Sequence, residues 1–173
     1  MRPLILWHRA DFDGVCSAAI VKKFVPDAEL FGLDYGDEFP WAKVQPVDVG
    51  TIRALRRVYM VDFSLPPAGM KKLAEMCDLV WCDHHKSAIE ACAHMKTISG
   101  VRSTALAGCE LTWEYFAEVF GREEGEVGPP PEAVRLLGRY DVWDAKNPDW
   151  DRIEAFQFGM RIDPRLMDPS DSF

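Results

Sequence analysis

Three short apolar runs break off into polar clusters where an ordinary strand would fade into a turn. They are Leu4–Trp7, Val58–Phe63 with Asp62 at its carboxyl end, and Leu79–Cys82. Each is followed by sequence suited to a helix. Val15, Ala18, Ala19, Val21 and Phe24 recur near helical spacing before Pro26, Leu65-Pro66-Pro67 opens a segment that tolerates Pro in its first turn, and a helix is expected from about Ser87 through Cys92. Strands alternating with helices specify an α/β fold, a parallel-sheet sandwich with helices on both faces. In such sheets ligands bind beyond the carboxyl ends of the strands, where these clusters fall.

The remaining segments extend that pattern. Glu29–Tyr35 reads as a second strand, Lys96–Ile98 as a short one, and Ser103–Phe120 as a longer helix. The Gly-, Glu- and Pro-rich stretch Gly121–Pro131 reads as a solvated loop before a helix that carries Leu136, Leu137 and Tyr140 and delivers Asp141 at its end. A chain of 173 residues suits one domain, expected over residues 1–162. Residues 163–173 hold three Asp, two Pro and two Ser and read as a poorly ordered tail or the start of a linker.

Four clusters carry the chemistry: His8-Arg9-Ala10-Asp11-Phe12-Asp13-Gly14, Val61-Asp62-Phe63-Ser64, Cys82-Asp83-His84-His85-Lys86, and Arg139-Tyr140-Asp141-Val142-Trp143. Carboxylates and imidazoles gathered on strand ends form a ligand set for hard or borderline divalent cations. Plainer readings stand beside this one. Asp11 to Gly14 also suits a simple turn, Asp62 a helix cap, and Asp141 an ion pair with Arg139. Adjacent histidines beside Asp83 are harder to explain by packing, although a zinc site from Cys77, Cys82, His84 and His85 is an alternative whose spacing fits no usual pattern. Asp34, Asp37 and Asp48 read as loop residues, and His94 as a surface or half-buried histidine.

A formal charge of -8 leaves no broad basic track for long duplex DNA. No apolar run approaches a membrane span, and the opening residues are too short and too charged for a secretory signal. Five cysteines without a C-x-x-C pair fit reduced thiols, so the expected compartment is the cytoplasm.

Taken in order, the four clusters resemble the DHH phosphoesterase superfamily over Leu4 to Asp144, including its signature Asp83-His84-His85-Lys86. Members include oligoribonucleases, RecJ-type exonucleases, cyclic-dinucleotide phosphodiesterases, exopolyphosphatases and manganese-dependent pyrophosphatases. The resemblance implies one metal on His8, Asp11 and Asp62 and a second on Asp13, Asp62, His84 and Asp141, with Asp62 bridging. It implies further that His85 faces the substrate phosphate, that Asp83 orients the histidines, and that Lys86, Arg102, Ser103 and Thr104 are candidates to meet phosphate oxygens. The first histidine stands in a His-x-x-Asp-x-Asp spacing, and many members carry a second, substrate-gripping domain after the fourth motif that this sequence does not contain.

The expected activity is a two-metal phosphoesterase acting on a phosphodiester in a short single-stranded oligonucleotide or dinucleotide, with hydroxide shared by cations roughly 3.5–4 Å apart. An oxygen-rich set with two imidazoles favours Mn²⁺, with Mg²⁺ next. The alternatives are a pyrophosphatase or exopolyphosphatase acting on phosphoanhydrides, and a non-catalytic metal- or nucleotide-binding module. A partner chain or further domain is the expected means of completing the cleft.

Overall fold

Alternation along each strand sorts the apolar residues onto two faces. The computed structural model describes residues 1–124 and 127–170. In chain order its elements are β1 (Leu4–His8), α1 (Phe12–Phe24), β2 (Glu29–Leu33), the hairpin strands β3 (Val47–Val49) and β4 (Ile52–Ala54), β5 (Arg57–Val61), α2 (Pro67–Met76), β6 (Asp78–Cys82), α3 (Lys86–Ala91), α4 (Gly108–Glu124), α5 (Glu132–Asp141) and α6 (Trp150–Met160). Four strands form one parallel sheet in the order β2-β1-β5-β6. Ile5, Trp7, Tyr59, Val61, Val80 and Cys82 face α1, α4 and α5, while Leu4, Leu6, Val58, Met60, Leu79 and Trp81 face α2. Both faces are therefore covered, as near-continuous apolar strands require.

The order of the strands decides where a ligand can sit. From β1 the chain crosses by α1 to β2 on one side, and from β5 it crosses by α2 to β6 on the other. β1 and β5 are neighbours whose connections leave in opposite directions, so a crevice opens beyond their carboxyl ends. His8 ends β1 and Asp62 directly follows β5.

α1 differs from an amphipathic surface helix, because its first ten residues are all buried between the sheet and α4. Small residues permit that. A Cβ on Gly14 would stand 1.9 Å from the His8 carbonyl oxygen, so only glycine lets the helix start this close to the end of β1.

Several boundaries differ from the sequence reading. Lys96–Ile98 is not a strand; the backbone joins β6 slightly later, where Trp81 N–H donates to Ser99 O (2.8 Å) and Asp83 N–H to Val101 O (3.2 Å). Ser103 to Leu106 is an irregular bend and α4 begins only at Gly108, because a carboxylate from another element caps it there. Gly121–Glu124 continue α4, residues 125 and 126 lie outside the described residues, and Val127–Pro131 connect to α5. Neither the hairpin nor α6 was expected. In the tail, Pro164–Met167 form a 3-10 turn whose Leu166 and Met167 pack against the α1 side of the core, and residues 171–173 lie outside the described set. Among the described residues no helix is long and apolar enough to cross a membrane, and all five cysteines are free and buried.

Leu73 on α2 is fully buried, whereas Lys71 on the same helix is exposed. Leu73→Ala is expected to lower unfolding free energy by about 2–5 kcal/mol and Lys71→Ala by less than about 0.5, measured by urea denaturation.

Candidate metal centre

Six expected ligands, carried on or just after β1, α1, β5, β6 and α5, meet beyond the crevice between β1 and β5. His8 Nδ1 lies 2.8 Å from Asp11 Oδ2 and 3.8 Å from Asp62 Oδ2. His84 Nε2 lies 3.2 Å from Asp62 Oδ1, 3.3 Å from Asp141 Oδ2 and 3.6 Å from Asp13 Oδ2. Among the described residues three overlapping groups are close enough to hold an ion: His8, Asp11 and Asp62; Asp13, His84 and Asp141; and Asp62, His84 and His85.

The local structure explains how each carboxylate is aimed. Asp11 is the N-cap of α1, with Oδ1 accepting from Gly14 N–H at 2.9 Å, which leaves Oδ2 toward His8. Asp13 sits in the first turn of α1 but caps α4, with its oxygens accepting from Gly108 N–H (2.7 Å) and Cys109 N–H (2.8 Å). Glu110 completes that cap by accepting from Ala107 N–H at 3.1 Å, and pairs with Arg139 of α5. Asp141 is the last residue of α5.

Asp62 is different. Only 1% of it is exposed, and neither side-chain oxygen has a hydrogen-bond partner. Its backbone is left-handed, at φ 50°, a conformation Asp tolerates better than most residues.

Asp83 is fully buried and engaged throughout. Oδ1 accepts from the backbone N–H of His84 (2.7 Å) and His85 (3.1 Å) and from the His85 ring Nδ1 (2.7 Å), while Oδ2 accepts from the Ser64 hydroxyl. Ser64 in turn accepts from the Trp81 indole at 2.9 Å. The His85 proton is thereby placed on Nδ1, leaving Nε2 directed elsewhere.

The protonation equilibria show an excess of negative charge. Burial, followed by the charges of Asp62 and Asp141, holds the Asp13 carboxyl well above its usual range. Burial and the Asp62 charge push Asp141 up to about 6. Asp11, then Asp62, push His8 up to about 10. Burial works against charge on His84, but Asp62 and Asp141 outweigh it and raise its pKa; His85 is raised chiefly by Asp83. Carboxyl groups shifted upward beside imidazoles shifted upward mark a concentration of negative charge that divalent cations would offset.

The other sequence candidates are not members of these groups. Lys86 is exposed and lies 3.8 Å from Glu90. Arg102 is occupied by backbone, donating to Trp81 O (2.9 Å), Ser99 O (3.2 Å) and Ile98 O (3.0 Å) over the Trp81 ring, so its guanidinium secures the chain beside β6 rather than reaching for phosphate. Ser103 Oγ accepts from Ala105 N–H at 3.1 Å, and Thr104 is exposed. The alternative zinc set is not assembled, because Cys77 precedes β6 and His84 follows it at the opposite end.

Two residues were missed. Asp34, read as a loop residue, follows β2 and brings Oδ1 to 3.4 Å from His8 Nε2; its place directly after an apolar strand was the available signal. Gly108 has no sequence signal. A Cβ there would stand 2.7 Å from Asp62 Cβ and 2.9 Å from Asp13 Oδ2, so glycine is what allows α4 to meet both carboxylates.

The chain belongs to the DHH family, whose N-terminal-domain model matches residues 3–137. The family is one of metal-dependent phosphohydrolases, and the acidic and imidazole groups gathered here are of the kind that could hold metal ions. Asp141 falls just beyond the matched residues, so its place in the cluster rests on the structure alone. No curated protein matches the sequence. A solved structure described as an uncharacterized protein from Helicobacter pylori G27 is similar in fold, with a TM-score of 0.61 at 17% identity. The likeness covers 84% of this chain and 44% of that one, so the matched part spans less than half the length of that protein.

Two outcomes follow from this geometry. Gly108→Ala is expected to weaken Mn²⁺ binding about tenfold or more in calorimetric titration, because the added methyl pushes α4 off Asp13 and Asp62. His8 has a folded pKa of about 10 against about 6.5 unfolded, so its protonated form contributes stability that is complete below pH 6.5 and lost as pH rises through 10. Chelator-treated protein should therefore lose urea stability across that window, and His8→Asn should flatten the loss.

Proposed function

We propose that this domain hydrolyses a phosphodiester in a short oligonucleotide or dinucleotide with the help of two Mn²⁺ ions, Mg²⁺ being the substitute. Asp62 is the observation that carries the reading. A carboxylate 1% exposed and without hydrogen bonds is costly to bury, and shared cations remove that cost.

The residues present fit such ions. His8, Asp11 and Asp62 would hold one, and Asp13, His84 and Asp141 together with Asp62 the other, a donor set rich in oxygen, supplemented by imidazole and free of thiolate. When bound, the pair supplies Lewis-acid charge for the phosphoryl oxygens and acidifies water for attack on phosphorus. Asp83 holds the His85 ring by Nδ1, so that Nε2 can meet a phosphoryl oxygen and offset the charge that builds there. The Ser64 and Trp81 bonds behind Asp83 keep that ring from turning.

A phosphodiester is favoured over a phosphoanhydride by the cations on offer. Each diester carries one charge, whereas pyrophosphate carries several. Arg102 is already spent on carbonyls and Lys86 lies beside Glu90 on the exposed side of α3. The acidic bulk charge argues equally for a short substrate over a long strand.

The test is product release from pyrophosphate, a linear dinucleotide, a cyclic dinucleotide and a longer single strand, with Mn²⁺ or chelator. Mn²⁺-dependent release from a dinucleotide is expected. Asp62→Asn should abolish it, with circular dichroism showing that the variant is folded. Asp83→Asn should lower it about 10–100-fold. Release confined to pyrophosphate would move the assignment to a phosphoanhydride hydrolase, and Mn²⁺ binding without any release would make this a binding module.

A further inference from the structure

Trp143 is hard to explain by folding alone. It follows α5 in a left-handed turn, at φ 54°, where glycine or asparagine would sit with less strain, and 63% of it stays exposed. Neither the backbone nor the core asks for an indole at this position.

The ring is nevertheless held in place. It makes edge-type contacts with Tyr140 (centroids 5.6 Å apart) and Trp150 (5.1 Å), and those two rings stack on each other at 5.8 Å and 3°. An aromatic surface fixed in advance binds a flat partner at little entropic cost. Trp143 also lines a cleft of ≈ 230 Å³ whose wall includes Asp11, Asp13 and Asp141 of the metal centre together with Arg161. Arg161 lies 5.8 Å over the Tyr140 ring and brings positive charge to a wall whose other charged side chains are the three aspartates.

We propose that this cleft is a nucleoside subsite in which Trp143 stacks on a nucleobase of the substrate while its phosphodiester lies at the carboxylates, with Arg161 countering nucleotide charge. The proposal rests on the phosphodiesterase reading above and deepens it, because it names the base as a recognised element. Stacking on an aromatic side chain tolerates any base, so the subsite selects for nucleotides without selecting sequence.

The test compares kcat/KM for a dinucleotide with that for the same sugar-phosphate unit lacking bases, in wild type, Trp143→Ala and Trp143→Phe. The preference for the base-bearing substrate should fall about tenfold in Trp143→Ala and largely return in Trp143→Phe. An unchanged preference overturns the proposal and assigns the exposed rings to a protein contact. Circular dichroism melts show whether each variant is folded. If wild type turns over neither substrate, the hydrolase reading fails by itself, and the subsite is judged by calorimetric titration with adenosine monophosphate. Binding about tenfold weaker to Trp143→Ala than to wild type supports it; equal affinity, or no binding to wild type, overturns it.

Discussion

Burying a carboxylate that receives no hydrogen bond is the constraint around which this domain is arranged. Three aspartates lie deep in the centre, and their surroundings divide them. Asp83 is satisfied by two backbone amides, a hydroxyl and an imidazole, so it acts as a fixed support for His85. Asp13 is satisfied by the first amides of α4, so it ties α1 to α4 while still facing His84. Asp62 receives nothing from the protein except nearby imidazole nitrogens, and so its oxygens are the ones free to share charge with an ion. The same residue type thus supplies a support, a tie and a candidate ligand according to what its oxygens touch.

Sheet topology makes this division possible. The opposite departure of the connections after β1 and β5 opens a crevice, and the residues that end those strands are His8 and Asp62. α4 then enters from one side with its amide dipoles aimed at the carboxylates, and α5 brings Asp141. The Glu110–Arg139 pair joins these two helices behind the site, so Asp141 is held at a fixed distance from Asp13 by more than its own helix.

Much of this was legible in the sequence because strand ends announce themselves. Apolar runs that stop at His8, Asp62 and Asp83 gave both the α/β class and the place of the cluster, since a strand's period and its termination are local properties. What escaped was non-local. The start of α4 depends on Asp13, 95 residues earlier, and no window around Ser103 contains that information. Gly108 matters only because Asp62 lies against it, and Arg102 is drawn to carbonyls of its own connection rather than to a ligand. α6 was overlooked because its apolar residues are interspersed with polar ones and several remain on the surface. Asp34 could have been found by applying to β2 the rule already used for the other strands.

The candidate ligands run from residue 8 to residue 141, and the tie between α1 and α4 closes over more than half of the chain. Contacts of such long sequence separation form late, after local helices and the first parallel pairs. A polypeptide still emerging during synthesis, or one arrested with its helices docked but α5 unplaced, would carry scattered acidic side chains and no centre. Cations captured by these side chains would therefore report that the whole domain has reached its native arrangement.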